Sequence, residues 1–112
     1  MVNEDLVRIR HMLDASKKAS SFAQGRKRDE LESDEQLSLA LIRLLEVIGE
    51  AAKGVSSSSR QQYPEIAWKE IAGTRDRLIH GYFDVDLDIV WEIITDDIPL
   101  LIIQLEKIIS NN

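Results

Sequence analysis

The chain has 112 residues, 44% of them hydrophobic, which suffices for one core of useful size but not for two. Its 20 acidic and 14 basic residues give a net charge of -6, which excludes the overall basic surface of a general nucleic-acid binder. Any contact with RNA or DNA must therefore be local. Cysteine is absent, so disulfides and thiolate chemistry are excluded. We expect a single domain over residues 1–112.

Neither end of the chain resembles a targeting or membrane segment. Residues 1–10 carry four charged side chains among the apolar ones, unlike the uninterrupted apolar core of a signal peptide. The longest apolar run, residues 98–105, is too short to cross a bilayer and contains Pro99. We expect a cytoplasmic protein with no membrane contact.

Residues 3–22 place Leu6, Ile9 and Leu13 at the three-and-four spacing of a one-faced helix. His11 lies off this stripe and has no partner at metal-ligand spacing, so we interpret it as a surface residue rather than a ligand or catalyst. A polar loop over residues 23–35 follows, with Ser33 or Asp34 as the predicted N-cap of the next helix.

The loop contains the one dense basic run of the sequence, Arg26, Lys27 and Arg28. We favour a solvated loop for this run. The alternative is an arm that contacts RNA phosphates beside a binding cleft.

A second helix is predicted over residues 36–55, with apolar residues on two sides. One side would face the core, and the other, which includes Ile42, Leu45 and Gly49, would need a partner such as a second copy of the chain. Glu46 and Glu50 lie four residues apart. We favour ion pairs with nearby Arg43 and Lys53 over a carboxylate metal site.

Gly54 and the serine run after it weaken the helix, which predicts either its end or a shift into a short helical turn near residues 60–62. Pro64 is suited to the first turn of a third long helix that runs to about His80, where Gly81 would provide a left-handed stop.

The last helix is predicted over residues 85–109, with a kink near Thr95 caused by Pro99. Three carboxylates precede or begin it, at Asp84, Asp86 and Asp88. We favour helix capping for them over a metal loop, which would need further ligands. A second apolar side of this helix repeats the indication of an oligomer: Ile89, Ile93, Leu100 and Ile103. Together these elements predict an all-α, up-and-down bundle of four main helices plus a short helical turn.

The stretch 75–82, RDRLIHGY, concentrates reactive side chains. Arg75 and His80 lie five residues apart, about 140° around an ideal helix, so they converge only if the helix loosens before Gly81 or if the site is shared across a two-fold interface. Metal-free RNA cleavage requires a base, an acid and a cation. Imidazole and guanidinium suit these roles, but one chain offers one good histidine, which favours a symmetric dimer. On residue types alone, a structural role for both residues remains open.

Arg75, four residues, His80, any residue and Tyr82 resembles the signature of HEPN-domain proteins, particularly the HepT-like toxins encoded beside minimal nucleotidyltransferases. The similarity extends in register over about residues 37–110. It includes the segments IGEAAK at 48–53, YPEIAW at 63–68, YFDVDL at 82–87 and VWEII at 90–94.

The resemblance implies a homodimeric endoribonuclease, independent of metals and cofactors, whose cleft is lined by Arg75 and His80 from both protomers. It implies the toxin of a prokaryotic type II toxin-antitoxin system, neutralised when a cognate minimal nucleotidyltransferase antitoxin attaches AMP to Tyr82. Asp76 stands where the family often has Asn, and either orients its neighbours or pairs with Arg75. Arg77 either attracts phosphate or is a surface charge. The alternative is a catalytically silent HEPN module that binds a nucleotidyltransferase or another partner.

Overall fold

The computed structural model describes residues 1–81 and 84–112, and most of these residues are helical. In chain order the elements are α1 (Asn3–Ala23), α2 (Glu30–Ser33), α3 (Glu35–Gly54), α4 (Ser57–Gln62), α5 (Trp68–Ala72), α6 (Thr74–Leu78), β1 (Ile79–His80), β2 (Asp84–Val85), α7 (Leu87–Glu92), a π-helical turn (Ile93–Asp97) and α8 (Ile98–Ser110). The predicted all-α class is confirmed, with one small exception in the strand pair.

The core lies where α1 packs against both α3 and α8. Each long helix contributes the side chains of its apolar stripe, and the smaller elements close the ends of the core with Leu31, Ile66 and Trp68. The fully buried members from the long helices include Ile9, Met12, Leu41, Leu45, Leu105 and Ile108. The periodic apolar spacing of α1 and α3 therefore predicted their bounds to within a residue or two.

Capping residues fix where two of the helices begin. The Asp34 carboxylate accepts a hydrogen bond of 3.1 Å from the Leu37 backbone N–H and starts α3. Of the two predicted N-caps, Ser33 and Asp34, it is therefore Asp34 that caps the helix. Asp86 accepts from the backbone N–H groups of Asp88 and Ile89, at 3.1 and 3.2 Å, and starts α7. The capping interpretation of the aspartates is thus confirmed for Asp86.

The buried Asp5 carboxylate ties α1 to the start of α4. It accepts hydrogen bonds from the Ser56 backbone N–H at 3.0 Å, from the Ser56 hydroxyl at 2.5 Å and from the Ser59 hydroxyl at 2.6 Å. Burial raises the pKa of Asp5, but these hydrogen bonds and the nearby Arg8 charge outweigh it, so the net pKa lies below its ordinary value. The serine run, which the sequence indicated as a helix breaker, therefore supplies the donors for a buried charge.

The predicted third helix over residues 64–80 is wrong. Residues 63–67 are not helical, and across this segment the Trp68 indole N–H donates to the Tyr63 carbonyl at 2.9 Å. Gly73 then separates α5 from α6, and α6 ends at Leu78. Beyond it Ile79 and His80 pair with Val85 and Asp84 in an antiparallel ladder.

Gly81 has the predicted positive φ, at 81°. It follows a strand, however, and not the end of a helix. The start of the last helix is corrected for the same reason: residues 84 and 85 belong to β2, so α7 begins only at Leu87.

Near Thr95, where a kink was predicted, the helix contains a π-helical turn, Ile93–Asp97. Pro99 is the second residue of α8 and lacks the N–H that would bond to the preceding turn. The wider π-helical turn accommodates this missing hydrogen bond without ending the helix.

The second apolar side of α3 is largely covered within the chain, with Ile42 half-buried, so it does not by itself indicate a partner. Leu45 and Gly49 are buried, because α5 and α6 pack on this side. On α8 the apolar excess does reach the surface: the exposed fractions of Leu100 and Ile103 are 57% and 64%. Among the described residues, no helix is long and apolar enough to cross a membrane.

Candidate active site

The short helix α6 presents charged residues outward because its other side is anchored. Thr74 and Leu78 are buried and lie four residues apart, which places them on one face. The Thr74 hydroxyl also donates to the Ile71 carbonyl at 2.7 Å. Arg75 and Asp76 occupy the opposite, exposed side.

Gly49 sets how closely α6 approaches α3. A Cβ atom at this position would lie 3.0 Å from the Ile71 carbonyl oxygen and 3.7 Å from the Thr74 Cβ. Glu46, almost one turn earlier on α3, then faces Arg75, with 4.0 Å between its Oε2 and the arginine Nε. The Arg75 side chain stays 62% exposed, so this distant contact leaves most of the guanidinium available to a ligand.

His80 lies on β1, whose backbone is paired with β2. The ladder pairs His80 with Asp84, and the Asp86 backbone N–H donates to the Leu78 carbonyl at 2.8 Å. Residues directly opposite in an antiparallel pair have neighbouring side chains on one face. The exposed His80 side chain thus has the Asp84 carboxylate as its cross-strand neighbour.

The structure places Arg75, Asp76 and His80 at the surface on two consecutive elements. The helical separation of 140° does not apply, because α6 ends two residues before His80. Within the described residues, Arg75 pairs with Glu46 and not with Asp76. Tyr82, the predicted site of modification, lies outside the described residues.

Arg77 has a carboxylate neighbour on another element. Its Nη1 lies 3.9 Å from Asp97 Oδ2, at the π-helical turn. The contact is long, and the Arg77 side chain is 39% exposed. Both interpretations of this residue, as phosphate attractor and as surface charge, therefore remain open.

The basic run at residues 26–28 is organised by ion pairs, and the predicted continuous loop is interrupted by α2. Arg26 contacts Glu30 at 2.6 Å and Asp34 at 2.7 Å, and its hydrogen bond lowers the pKa of Asp34. Arg28 contacts Glu32 at 2.9 Å and Asp88 at 2.6 Å. With these guanidiniums already bound to carboxylates, the interpretation as a phosphate-contacting arm loses its support.

In both sets of carboxylates for which a metal was considered, members have other partners. Glu50 lies 3.5 Å from Lys53, as predicted, whereas Glu46 faces Arg75 and not Arg43. Of the aspartates near α7, Asp86 caps the helix and Asp88 binds Arg28. The part of the chain that the structure describes contains no group of three or more side chains that could hold a metal ion.

The domain is almost wholly helical, and its surface carries an arginine and a histidine five residues apart. This arrangement agrees with the resemblance to HEPN-domain proteins. Residues 12–108 match the ribonuclease HepT-like family. The chain belongs to this family.

Three relatives illustrate the similarity. "Probable ribonuclease HepT" of Thermococcus cleftensis is 44% identical over 75 residues, which cover 67% of this chain and 68% of the relative. "Putative RNase MJ1216" of Methanocaldococcus jannaschii is 42% identical over 91 residues, 81% and 75% of the two chains. "Putative RNase TTE0752" of Caldanaerobacter subterraneus subsp. tengcongensis is 38% identical over 102 residues, 91% of each chain. No solved structure matches this chain.

Proposed function

We propose that this member of a ribonuclease family is a metal-independent endoribonuclease whose reacting groups are Arg75 and His80. A base removes the proton of a ribose 2′-hydroxyl, and the freed oxygen forms a bond to the adjacent phosphorus. The bond from phosphorus to the 5′ oxygen breaks, and an acid gives this oxygen a proton. The products are a 2′,3′-cyclic phosphate and a 5′-hydroxyl.

One observation carries the proposal: the Arg75 guanidinium is largely exposed, and its nearest carboxylate is 4.0 Å away. A guanidinium in this state can bind a phosphate with its parallel N–H groups. His80 is exposed on the next element, and an imidazole can serve as a general acid or base. Asp76, beside Arg75, has the supporting role of orienting its neighbours.

The reaction needs an acid and a base, and the segment supplies one histidine. We propose a homodimer whose cleft contains Arg75 and His80 from both protomers. The exposed apolar side chains of α8, Leu100 and Ile103, support an association of this kind. No ion or cofactor takes part in this scheme.

In the cell, we propose, the protein is the toxin of a type II toxin-antitoxin pair. The cognate antitoxin is a minimal nucleotidyltransferase that attaches AMP to Tyr82. The bulky anionic group would lie two residues from His80 in the chain, where it would compete with RNA phosphate for Arg75. The homology to proteins named as ribonucleases supports the nuclease part of this proposal.

Cleavage of a labelled RNA in the presence of EDTA tests the chemistry. We expect the full chain to cleave, and His80→Ala to lose about 10²- to 10⁴-fold in rate, the usual contribution of a general acid or base. Arg10→Ala removes an exposed basic side chain of α1, away from this segment, and serves as the control. Full activity of folded His80→Ala would rule out this site.

The modification has its own test. After incubation with the neighbouring nucleotidyltransferase and ATP, the intact mass should rise by whole AMP units, and cleavage should fall in proportion. Tyr82→Phe should keep its mass and its activity. Unchanged mass of the wild-type chain would contradict control by AMP attachment while leaving the nuclease proposal intact.

The second candidate is a catalytically silent module that binds a nucleotidyltransferase or another protein. The acidic net charge of -6 and the position of Glu46 beside Arg75 favour it, because both oppose RNA phosphate. Growth arrest on expression, relieved by the nucleotidyltransferase, supports the toxin. Harmless expression with stable partner binding supports the silent module.

A further inference from the structure

A second group of basic side chains surrounds an open cleft of about 330 Å³ between α1 and α3. The cleft is lined by Arg8, His11, Arg43, Val47, Glu50 and Ala51. Two guanidiniums and an imidazole thus face one carboxylate, in a chain whose net charge is -6. Neither arginine is ion-paired with any residue that the structure describes. The cleft is therefore a local basic site on an acidic protein.

Gly54 makes room for the Arg8 side chain at the edge of this cleft. A Cβ atom at residue 54 would overlap Arg8 Nε and lie only 2.6 Å from Arg8 Cδ. Arg8 thus lies directly across the last residue of α3. The arginine also lowers the pKa of Asp5, but both oxygens of that buried carboxylate already accept hydrogen bonds from serines. The guanidinium remains available to an external anion.

One side of α3 carries both residues that line the cleft and the residue that faces Arg75. Arg43, Glu46 and Glu50 lie within about 60° of one another around this helix. Glu46 is the residue that faces Arg75, at 4.0 Å. The helical rise from Arg43 to Glu46 is only about 4.5 Å. Arg43 thus lies less than one helical turn along α3 from the residue that faces Arg75, and it shares the cleft with Arg8.

We propose that this cleft binds the phosphate backbone of single-stranded RNA on one side of the scissile bond. The proposal rests on the ribonuclease function proposed above and assigns to Arg8 and Arg43 the binding of flanking phosphates. Glu50 lines the cleft but lies 3.5 Å from Lys53, which offsets its charge. Contacts to phosphate position a nucleic acid without reading its sequence, so the cleft contributes affinity and not base preference.

The test measures binding of a fluorescent oligouridine to the full chain carrying His80→Ala, over a range of salt concentrations. We expect Arg8→Gln with Arg43→Gln to weaken binding about tenfold at low salt. The slope of log affinity against log salt should fall by about 0.7 for each phosphate of the single strand that the protein no longer neutralises. Arg10→Gln changes the charge on the opposite side of α1 and should have less than a twofold effect.

Gly54→Ala gives a test without any change of charge. The added methyl group displaces Arg8 while alanine favours the helix, so the chain should remain folded and its affinity should fall about threefold. If the double arginine variant binds as well as Arg10→Gln, the proposal is wrong. It is also wrong if the double variant loses equal affinity for 5′-AMP and for the oligomer, since the cleft would then be a mononucleotide site.

The outcomes separate this subsite from the nuclease function. If the wild-type chain cleaves RNA and the double variant keeps its affinity, the subsite alone is rejected. If no RNA is cleaved and none is bound by the His80→Ala chain, both proposals fail together.

Discussion

Two arginine-rich stretches look alike in the sequence and differ in the structure. In the first, Arg26 and Arg28 each contact two carboxylates, at distances from 2.6 to 2.9 Å. In the second, Arg75 and Arg77 each have one carboxylate neighbour, at 4.0 and 3.9 Å. The first stretch holds α2 and α7 in place, and the second leaves its charge available.

The difference shows that the density of basic residues does not identify a phosphate site. The basic run at 26–28 is the denser of the two, yet its arginines are occupied because acidic residues follow at the spacing of one helical turn. Arg75 and Arg77 lie on a helix of five residues whose acidic residue, Asp76, immediately adjoins both. Adjacent residues on a helix do not face each other, so the charges are not neutralised locally.

The strongest test of this contrast compares one glutamine substitution in each of the two stretches. We expect Arg75→Gln to lower RNA cleavage at least 100-fold, the usual cost of removing a donor that stabilises transition-state charge, with little change in thermal unfolding. Arg26→Gln should do the reverse, because it removes two ion pairs and leaves the site intact. The rate of cleavage and the midpoint of thermal unfolding are measured for both variants.

Equal decreases of activity in the two variants would mean that the basic run at 26–28 also contacts RNA. In that case the short carboxylate contacts of Arg26 would have to open on binding, and the contrast between occupied and available arginines would fail.

Unlike the arginines, Asp5 is a buried charge, and both of its carboxylate oxygens accept hydrogen bonds. We expect Asp5→Asn to lower the free energy of unfolding by on the order of 2 kcal/mol, since hydrogen bonds to a charged group are removed from the interior. Because the folded pKa of Asp5 is lowered, its stabilisation is present above the unfolded pKa, ordinarily near 3.9. It disappears as the pH falls through the folded value.

Urea unfolding of the wild-type chain and of Asp5→Asn at several pH values measures this contribution of Asp5 to stability. The wild-type chain should lose stability below about pH 4 more steeply than Asp5→Asn. Parallel curves would show that Asp5 does not contribute through its charge. A variant with Asp14→Asn, at an exposed position of the same helix, controls for the removal of one negative charge.

The sequence predicted those parts of the fold that depend on one periodic pattern. The bounds of α1 and α3, the Asp34 cap and the break around Thr95 follow from apolar spacing, a capping side chain and a proline. The prediction for residues 64–80 failed because apolar spacing cannot show a side-chain hydrogen bond such as that from the Trp68 indole to the Tyr63 carbonyl. Nor does the pattern indicate a two-residue strand pair.

The residues of the candidate site remain a prediction, and the structure changes the geometry that was expected for them. The motif identified Arg75 and His80, but their placement on a helix and a strand depends on the end of α6 at Leu78. The cleft at Arg8 and Arg43 was missed. Its two arginines are 35 positions apart, and the glycine that admits Arg8 resembled a helix stop. No spacing rule connects such positions before the helices are packed.

Gly49→Ala tests whether the close approach of α6 to α3 positions Arg75, because this glycine lies where the two helices meet. The added Cβ would press on the Ile71 carbonyl oxygen at 3.0 Å, and backbone atoms yield less readily than the end of a side chain. Better helix propensity would offset part of the cost, by about 1 kcal/mol. We therefore expect stability to change little while cleavage falls about tenfold through displacement of α6.

Gly25→Ala is the matched control for Gly49→Ala. Gly25 has a φ of 73° with open space around it, so alanine there is strained and should lower stability while leaving the site unchanged. Cleavage rates and urea unfolding are compared for both variants. If Gly49→Ala retains full activity, the close approach of α6 to α3 does not position Arg75, and the availability of its guanidinium must arise from the exposure of α6 alone.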